Sequence, residues 1–294
     1  GLLLAIRGLP ETGKKAGQQL DLLGAASAFV FLATLLLYAN RGQGWGWASA
    51  EIIALVITAI VSGIWFVRTE RRSAQPMLNL SLYSNRVFRC ASLAALLNFM
   101  ALYTAIFLTP FYLMFVLHYN VGKVGLIMAS NPIVMLVVSP LSGALSDRIG
   151  TRGLAFCGMA ICTAGMILMS SLETSSSSFD VIWCLAIVGL GMGMFQSPNT
   201  SAAMGNVPKR YLGIASGILA AMRNVGMVLG IAVAGAVLYN IAPVAQLKSP
   251  GSFTPTDIDM FLTGLQWAYI SGAILAGSSA LISLGARGVS QQPS

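Results

Sequence analysis

The sequence predicts an all-α protein, a polytopic bundle of membrane-spanning helices. Three observations predict it. Hydrophobic residues make up 56% of the 294 residues and charged residues only 9%, against about a quarter charged in ordinary soluble domains. Long apolar runs recur from Leu22 to Leu284, each long enough to cross a ~30 Å hydrocarbon layer at about 1.5 Å per helical residue. All but one of the 17 basic side chains are assigned to the connections and collect on alternate ones, as membrane topology requires.

Eight runs are expected as helices, in this order: Leu22–Tyr38, Glu51–Val67, Val87–Leu117, Val124–Leu145, Gly153–Leu172, Val181–Met204, Leu212–Tyr239 and Met260–Leu284. They are apolar all round and roughly twice the ~10 residues of an alternating barrel strand. The run Val87–Leu117 is over-long, and Pro110 and Asn98 inside it predict a bend. Small residues recur at four-residue spacing in Gly189/Gly193, Gly213/Gly217, Gly226/Gly230/Ala234 and Ala268/Gly272/Ala276. Such stripes let helix backbones approach, so close packing is the expected role of most of these glycines.

Scoring the connections by charge sets the orientation. One side carries Arg7, Lys14, Lys15, Arg68, Arg71, Arg72, Arg86, Arg89, Arg148, Arg152, Lys209, Arg210 and Arg287. The other carries only Arg41, Lys123 and Lys248. The first set is expected in the cytoplasm, with the protein in the plasma membrane. Trp45, Trp47, Trp183 and Trp267 then lie near the outer ends, where aromatic belts form. The net charge of +8 is explained by this topology, so no nucleic-acid partner is expected.

The chain divides by composition. Residues 1–21 read as the end of a preceding helix and a cytoplasmic loop. Residues 22–85 hold two simple apolar helices and a linker. Residues 86–287 form a six-helix bundle carrying Pro110, Pro132, Pro140 and Pro198, and residues 288–294 are a cytoplasmic tail. The opening stretch begins inside an apolar run, as though a longer chain preceded it.

Enzyme chemistry finds little support. One histidine, His118, cannot assemble a metal centre. Cys90, Cys157, Cys162 and Cys184 form no CxxC pair and read as small buried residues. No GxxxxGK[ST] phosphate loop occurs, and Gly189–Gly193 lacks dinucleotide spacing. No cofactor is expected. The partner expected from composition is the lipid bilayer. All nine acids lie at or outside run boundaries, whereas Arg223 falls about 16 Å into its helix. Polar groups at such depth are costly and are functional candidates by default.

The connection after the fourth run reads Gly143, Leu145, Asp147, Arg148, Gly150 and Arg152 in the pattern Gly-x-Leu-x-Asp-Arg-x-Gly-x-Arg. It resembles the cytoplasmic loop signature of the major facilitator superfamily. Thr151 stands where a basic residue is common. Two further stretches resemble the later half of its fourteen-helix drug:proton antiporters, the second drug-antiporter family. The first holds Gly189, Gly191, Gly193, Gln196, Pro198 and Asn199. The second runs from Pro208 through Gly213, Ser216 and Gly217 to Arg223, Asn224, Gly226 and Gly230.

The resemblance implies a C-terminal six-helix half preceded by two central inserted helices, with an N-terminal six-helix half missing as a partner. It implies proton-coupled efflux of small organic or drug-like molecules. It also implies that the first, second, fourth and fifth bundle helices line a central cavity, which would place Asn98, Tyr103, Asn131, Gln196, Asn199 and Arg223 there. The loop residues would brace one conformational state. A truncated, non-transporting membrane fragment is the alternative.

Overall fold

The computed structural model describes residues 49–72, 80–242 and 254–285, with part of 26–38. Among these residues every regular element is helical. The described positions of the first expected run are helical between residues 26 and 38, and its remainder lies outside the described residues. The second run becomes α1, Ala50–Arg72, whose apolar stretch Ala50–Trp65 is short for a full crossing. Among the described residues six helices are long and apolar enough to cross a membrane, and they correspond to the six later runs.

The bundle begins with α2, Arg86–Phe111. Asn85 caps it: its side-chain oxygen accepts from the Val87 and Phe88 N–H groups, satisfying two donors that a helix start leaves free. The expected bend lies just past Pro110. There α2 passes into a π-turn, Tyr112–Val116, because proline has no N–H to continue the α-helical ladder. The turn ends at His118, whose φ of 52° is left-handed. The N–H of Tyr119 then bonds back to the Leu113 carbonyl at 2.9 Å, closing the helix end as an αL cap does.

The next span is built from α3, Val121–Met128, and α4, Ser130–Ile149. Its break at Ala129 precedes Pro132, which cannot donate to the preceding turn. Four helices follow: α5, Thr151–Ser170; α6, Ser178–Gly205; α7, Leu212–Ile241; and α8, Pro255–Gly285. Two outer acids act as caps. Asp180 and Ser177 form a reciprocal capping box on α6, and Thr254 and Asp257 exchange equivalent bonds on α8 at 2.8 Å and 3.3 Å.

Packing arranges the helices in two layers. In the front layer α4 packs on α6, α6 on α2, and α2 on α7. Behind it α5 packs on α6 and α8, while α8 packs on α2, α5 and α7. The main core runs through this stack and includes Met159, Cys162, Met166, Val188, Met192, Phe195, Tyr269 and Ala276, all almost fully buried. A smaller cluster at the cytoplasmic end gathers Phe88, Ala203, Ala215 and Ile218. None of the major packing seams involves α1, and Ile53, Ile57, Ile60, Val61, Ile64 and Trp65 on it are exposed.

Glycine makes the tightest seam possible. A Cβ on Gly158 would stand 2.7 Å from the Gly191 carbonyl oxygen, and one on Gly191 would stand 2.5 Å from the Cys162 nitrogen. Backbone therefore meets backbone between α5 and α6, the close approach that small-residue stripes permit. Gly226 does the same on α7, where an added Cβ would meet the Leu96 carbonyl.

Candidate functional site

The α4–α5 connection shows why its pattern has those residues. Gly143 lies under Ser197 of α6, whose Oγ would be 2.7 Å from an added Cβ. The neighbouring Ser142 hydroxyl donates to the Gly193 carbonyl at 3.0 Å. Gly150 reverses the chain at φ 90°, ψ 154°, a conformation that a side chain would strain. It ends α4, with its N–H bonded to the Ser146 carbonyl at 2.9 Å, and starts α5 in the same residue. Leu145, Asp147 and Arg148 are exposed, and neither charge has an ion-pair partner among the described residues. Arg152 is half-buried and its Nε is a buried donor without an acceptor.

Five of the six intramembrane residues divide into three groups. Asn131 and Asn199 are buried and already bonded between helices. Asn131 donates to the Leu185 carbonyl at 3.2 Å, joining α4 to α6. Asn199 donates to the Ala91 carbonyl at 3.0 Å, joining α6 to α2. Asn98 is fully buried on α2, and both of its amide atoms lack a partner. Such a group costs about 1–3 kcal/mol per unmet bond. Tyr103 is half-buried against the core, and Gln196 is half-buried on α6.

Arg223 stands apart. It is exposed on α7, and its guanidinium carbon lies 5.2 Å from the centre of the Phe99 ring, a cation–π contact. Asn131 and Asn199 donate to backbone carbonyls of other helices, and no hydrogen bond links either of them to Arg223 among the described residues. Exposed residues near it form one face at three- and four-residue spacing: Gly213, Ser216, Gly217, Ala220, Arg223 and Asn224. A Cβ added at Gly213 or Gly217 meets nothing within 4 Å. This face is small and polar, whereas the exposed residues of the other spans are large and apolar, as in Ile133, Leu136, Leu141, Ile167, Ile274 and Leu281.

The outer end carries a polar cluster that the sequence reading did not assemble. The Ser178 hydroxyl donates to the Tyr119 oxygen at 2.9 Å, and the Lys123 ammonium sits 3.4 Å from the Tyr119 ring centre. The serine bond first, and the lysine charge after it, hold the Tyr119 phenol below its usual range. Tyr112 reaches the same end, donating to the Glu173 carbonyl at 2.7 Å. The four cysteines are free thiols.

Comparison with known proteins places the chain. Residues 21–231 match the Major Facilitator Superfamily. The chain belongs to that superfamily. Multidrug resistance protein Stp of Mycobacterium tuberculosis is 32% identical over 237 residues, which cover 81% of this chain and 44% of Stp. The uncharacterized transporter YebQ of Escherichia coli is 32% identical over 241 residues, 81% of this chain and 52% of YebQ. Riboflavin transporter RibZ of Clostridioides difficile is 29% identical over 204 residues, 69% of this chain and 44% of RibZ. The chain thus covers about half the length of these relatives. It is an all-α multi-pass protein of the bacterial plasma membrane, in a superfamily of transport proteins and not of enzymes.

Proposed function

We propose that this chain is the C-terminal part of a proton-coupled efflux transporter for small organic molecules, built on the fourteen-helix drug:proton antiporter plan. In this reading residues 22–85 supply the two inserted helices and residues 86–287 the second six-helix half. The observation that carries it is the polar, small-residued face of α7 around Arg223, set in the front layer α4–α6–α2–α7. A face of that composition suits a water-filled path better than lipid. Names of relatives, multidrug resistance for one and riboflavin for another, support an organic substrate. Tyr103 and Gln196, both half-buried in the front layer, supply aromatic and amide contacts beside Arg223.

Proton coupling in this reading draws on carboxylates outside this chain's spans, since its nine acids sit at span ends or in connections. Asp147 and Arg148, exposed and unpaired here, brace a second half in one conformational state. The test is ethidium efflux from everted vesicles carrying the longest reading frame that encodes this chain. An imposed pH gradient drives uptake into the vesicles and an uncoupler abolishes it. In the same assay Asp147→Asn lowers the rate at least about fivefold at equal membrane abundance, and a wild-type rate would remove the bracing role.

A second reading rests on the coverage of only 44–52% of those relatives. Expressed alone, residues 1–294 insert in the membrane but move no ethidium, behaving as a non-transporting fragment.

A further inference from the structure

The guanidinium of Arg223 is a strong cation with one observed contact, an aromatic face. It sits about 16 Å along α7 from Leu212, near the middle of a ~30 Å core. An arginine cannot shed its proton at that depth, and its five N–H donors require acceptors. No hydrogen bond or ion pair reaches it among the described residues, and the ring of Phe99 at 5.2 Å presents π-density and no lone pair.

Acceptors within the chain can be checked one by one. Asp147, Asp180, Asp257 and Asp259 lie at span ends, Glu51 and Glu70 on α1, and Glu173 between α5 and α6, while Glu11 and Asp21 precede the bundle in sequence. The bundle asparagines Asn131 and Asn199 turn their amide N–H groups to backbone carbonyls of other helices, and no hydrogen bond joins the oxygen of either to Arg223 among the described residues. Asn224 is next in sequence, so it projects about 100° away around the helix. Approach is open: Gly213, Ser216, Gly217 and Ala220 run along the same face toward the cytoplasmic end, and added methyl groups at the two glycines meet no atom.

We propose that Arg223, backed by Phe99, is the recognition point for an oxyanion carried by the transported molecule, so that the protein handles organic anions. This rests on the transporter reading above. The forked guanidinium takes a carboxylate or phosphonate in two parallel hydrogen bonds. Phe99 fixes the plane of the fork and offers a flat apolar surface to the adjoining part of the substrate. The chemistry differs from that of a site for lipophilic cations, which would place a carboxylate where Arg223 stands.

The experiment uses the longest reading frame encoding the chain, purified in detergent and also reconstituted in phosphatidylcholine vesicles. Carboxyfluorescein is the anionic probe and rhodamine 6G the cationic one. Wild-type protein raises the anisotropy of carboxyfluorescein. Arg223→Gln weakens that binding at least about tenfold, the scale of a lost charge-assisted bond pair. It also lowers the carboxyfluorescein-to-rhodamine flux ratio by a similar factor. Arg223→Lys, which keeps the charge and loses the fork, retains binding with a several-fold loss.

Binding without flux in wild type overturns the transporter reading and leaves the anion site standing. No carboxyfluorescein binding by wild type overturns the anion site, whatever happens to rhodamine. An equal loss of both probes in Arg223→Gln, with a lowered thermal midpoint, means that the guanidinium pairs with an acid elsewhere in the full protein, and that overturns it too.

Discussion

Gly191 and Gly217 both stand in glycine-rich stretches of neighbouring elements of the fold, and their surroundings are opposite. On α6, Gly191 faces α5 so closely that the backbone of Gly158 and Cys162 lies where its side chain would be. On α7, Gly217 faces open space. The two environments show that a run of small residues has two uses. One lets two helices touch. The other keeps a path clear beside a charge within the span, and its marker is the polar company of Ser216, Arg223 and Asn224 in place of leucine and isoleucine.

The contrast can be broken by adding a single methyl group at each place. Gly191→Ala forces α5 and α6 apart, because the obstructing atoms are backbone and cannot rotate away. We expect it to destabilise by at least about 1–3 kcal/mol, the usual range for overpacking, and to lower the thermal midpoint in detergent.

A smaller effect belongs to the amide bonds that stitch the front layer. Asn199→Ala removes the bond to Ala91, and the average for an interhelical bond of this kind is about 0.6 kcal/mol, with a maximum near 1.7. A thermal-shift series on Asn199→Ala and Asn131→Ala measures it directly. A loss as large as that of Gly191→Ala would show that amides, and not glycine contacts, dominate the seams.

Gly217→Ala is expected to do least. With nothing for the methyl to strike, the change stabilises by roughly 0.5–1 kcal/mol through helix propensity or leaves the midpoint unmoved. A drop comparable to that of Gly191→Ala would mean that another helix closes over this face in the full protein.

Much of the architecture was legible in the residues. Of the eight runs expected from length, the six later ones meet the length and composition of a span among the described residues, because hydrocarbon thickness sets helix length, and Pro110 marked the stretch where the α-helix gives way to a π-turn. Gly150 was visible as part of a loop pattern, although only the structure shows that its φ lets one residue end α4 and begin α5. Partners were not legible. Asn131 and Asn199 looked like cavity residues because an amide inside a span is costly, and sequence does not tell which carbonyl will answer it. Gly213 and Gly217 looked like packing residues for the same reason that Gly189 and Gly193 did, since spacing records the face and not what lies opposite. Asp180 and Asp257 read as outer-loop charges, whereas their neighbours at three-residue spacing, Ser177 and Thr254, make them caps.

The π-turn at Tyr112–Val116 also acts as a phase shift. Each residue advances an α-helix by about 100°, so a turn that takes in one extra residue sets the outer end of α2 back by roughly that angle. In that rotated end, Tyr112 bonds the Glu173 carbonyl, and just beyond it Tyr119 bonds Ser178. Both latch onto the connection between α5 and α6. The inner part of α2, which carries Asn98 and Phe99, is keyed to α6, α7 and α8 in the unshifted register. One helix therefore answers to two clocks. The turn thus stands as a joint between the part of α2 that meets α6, α7 and α8 and the end that meets the region after α5.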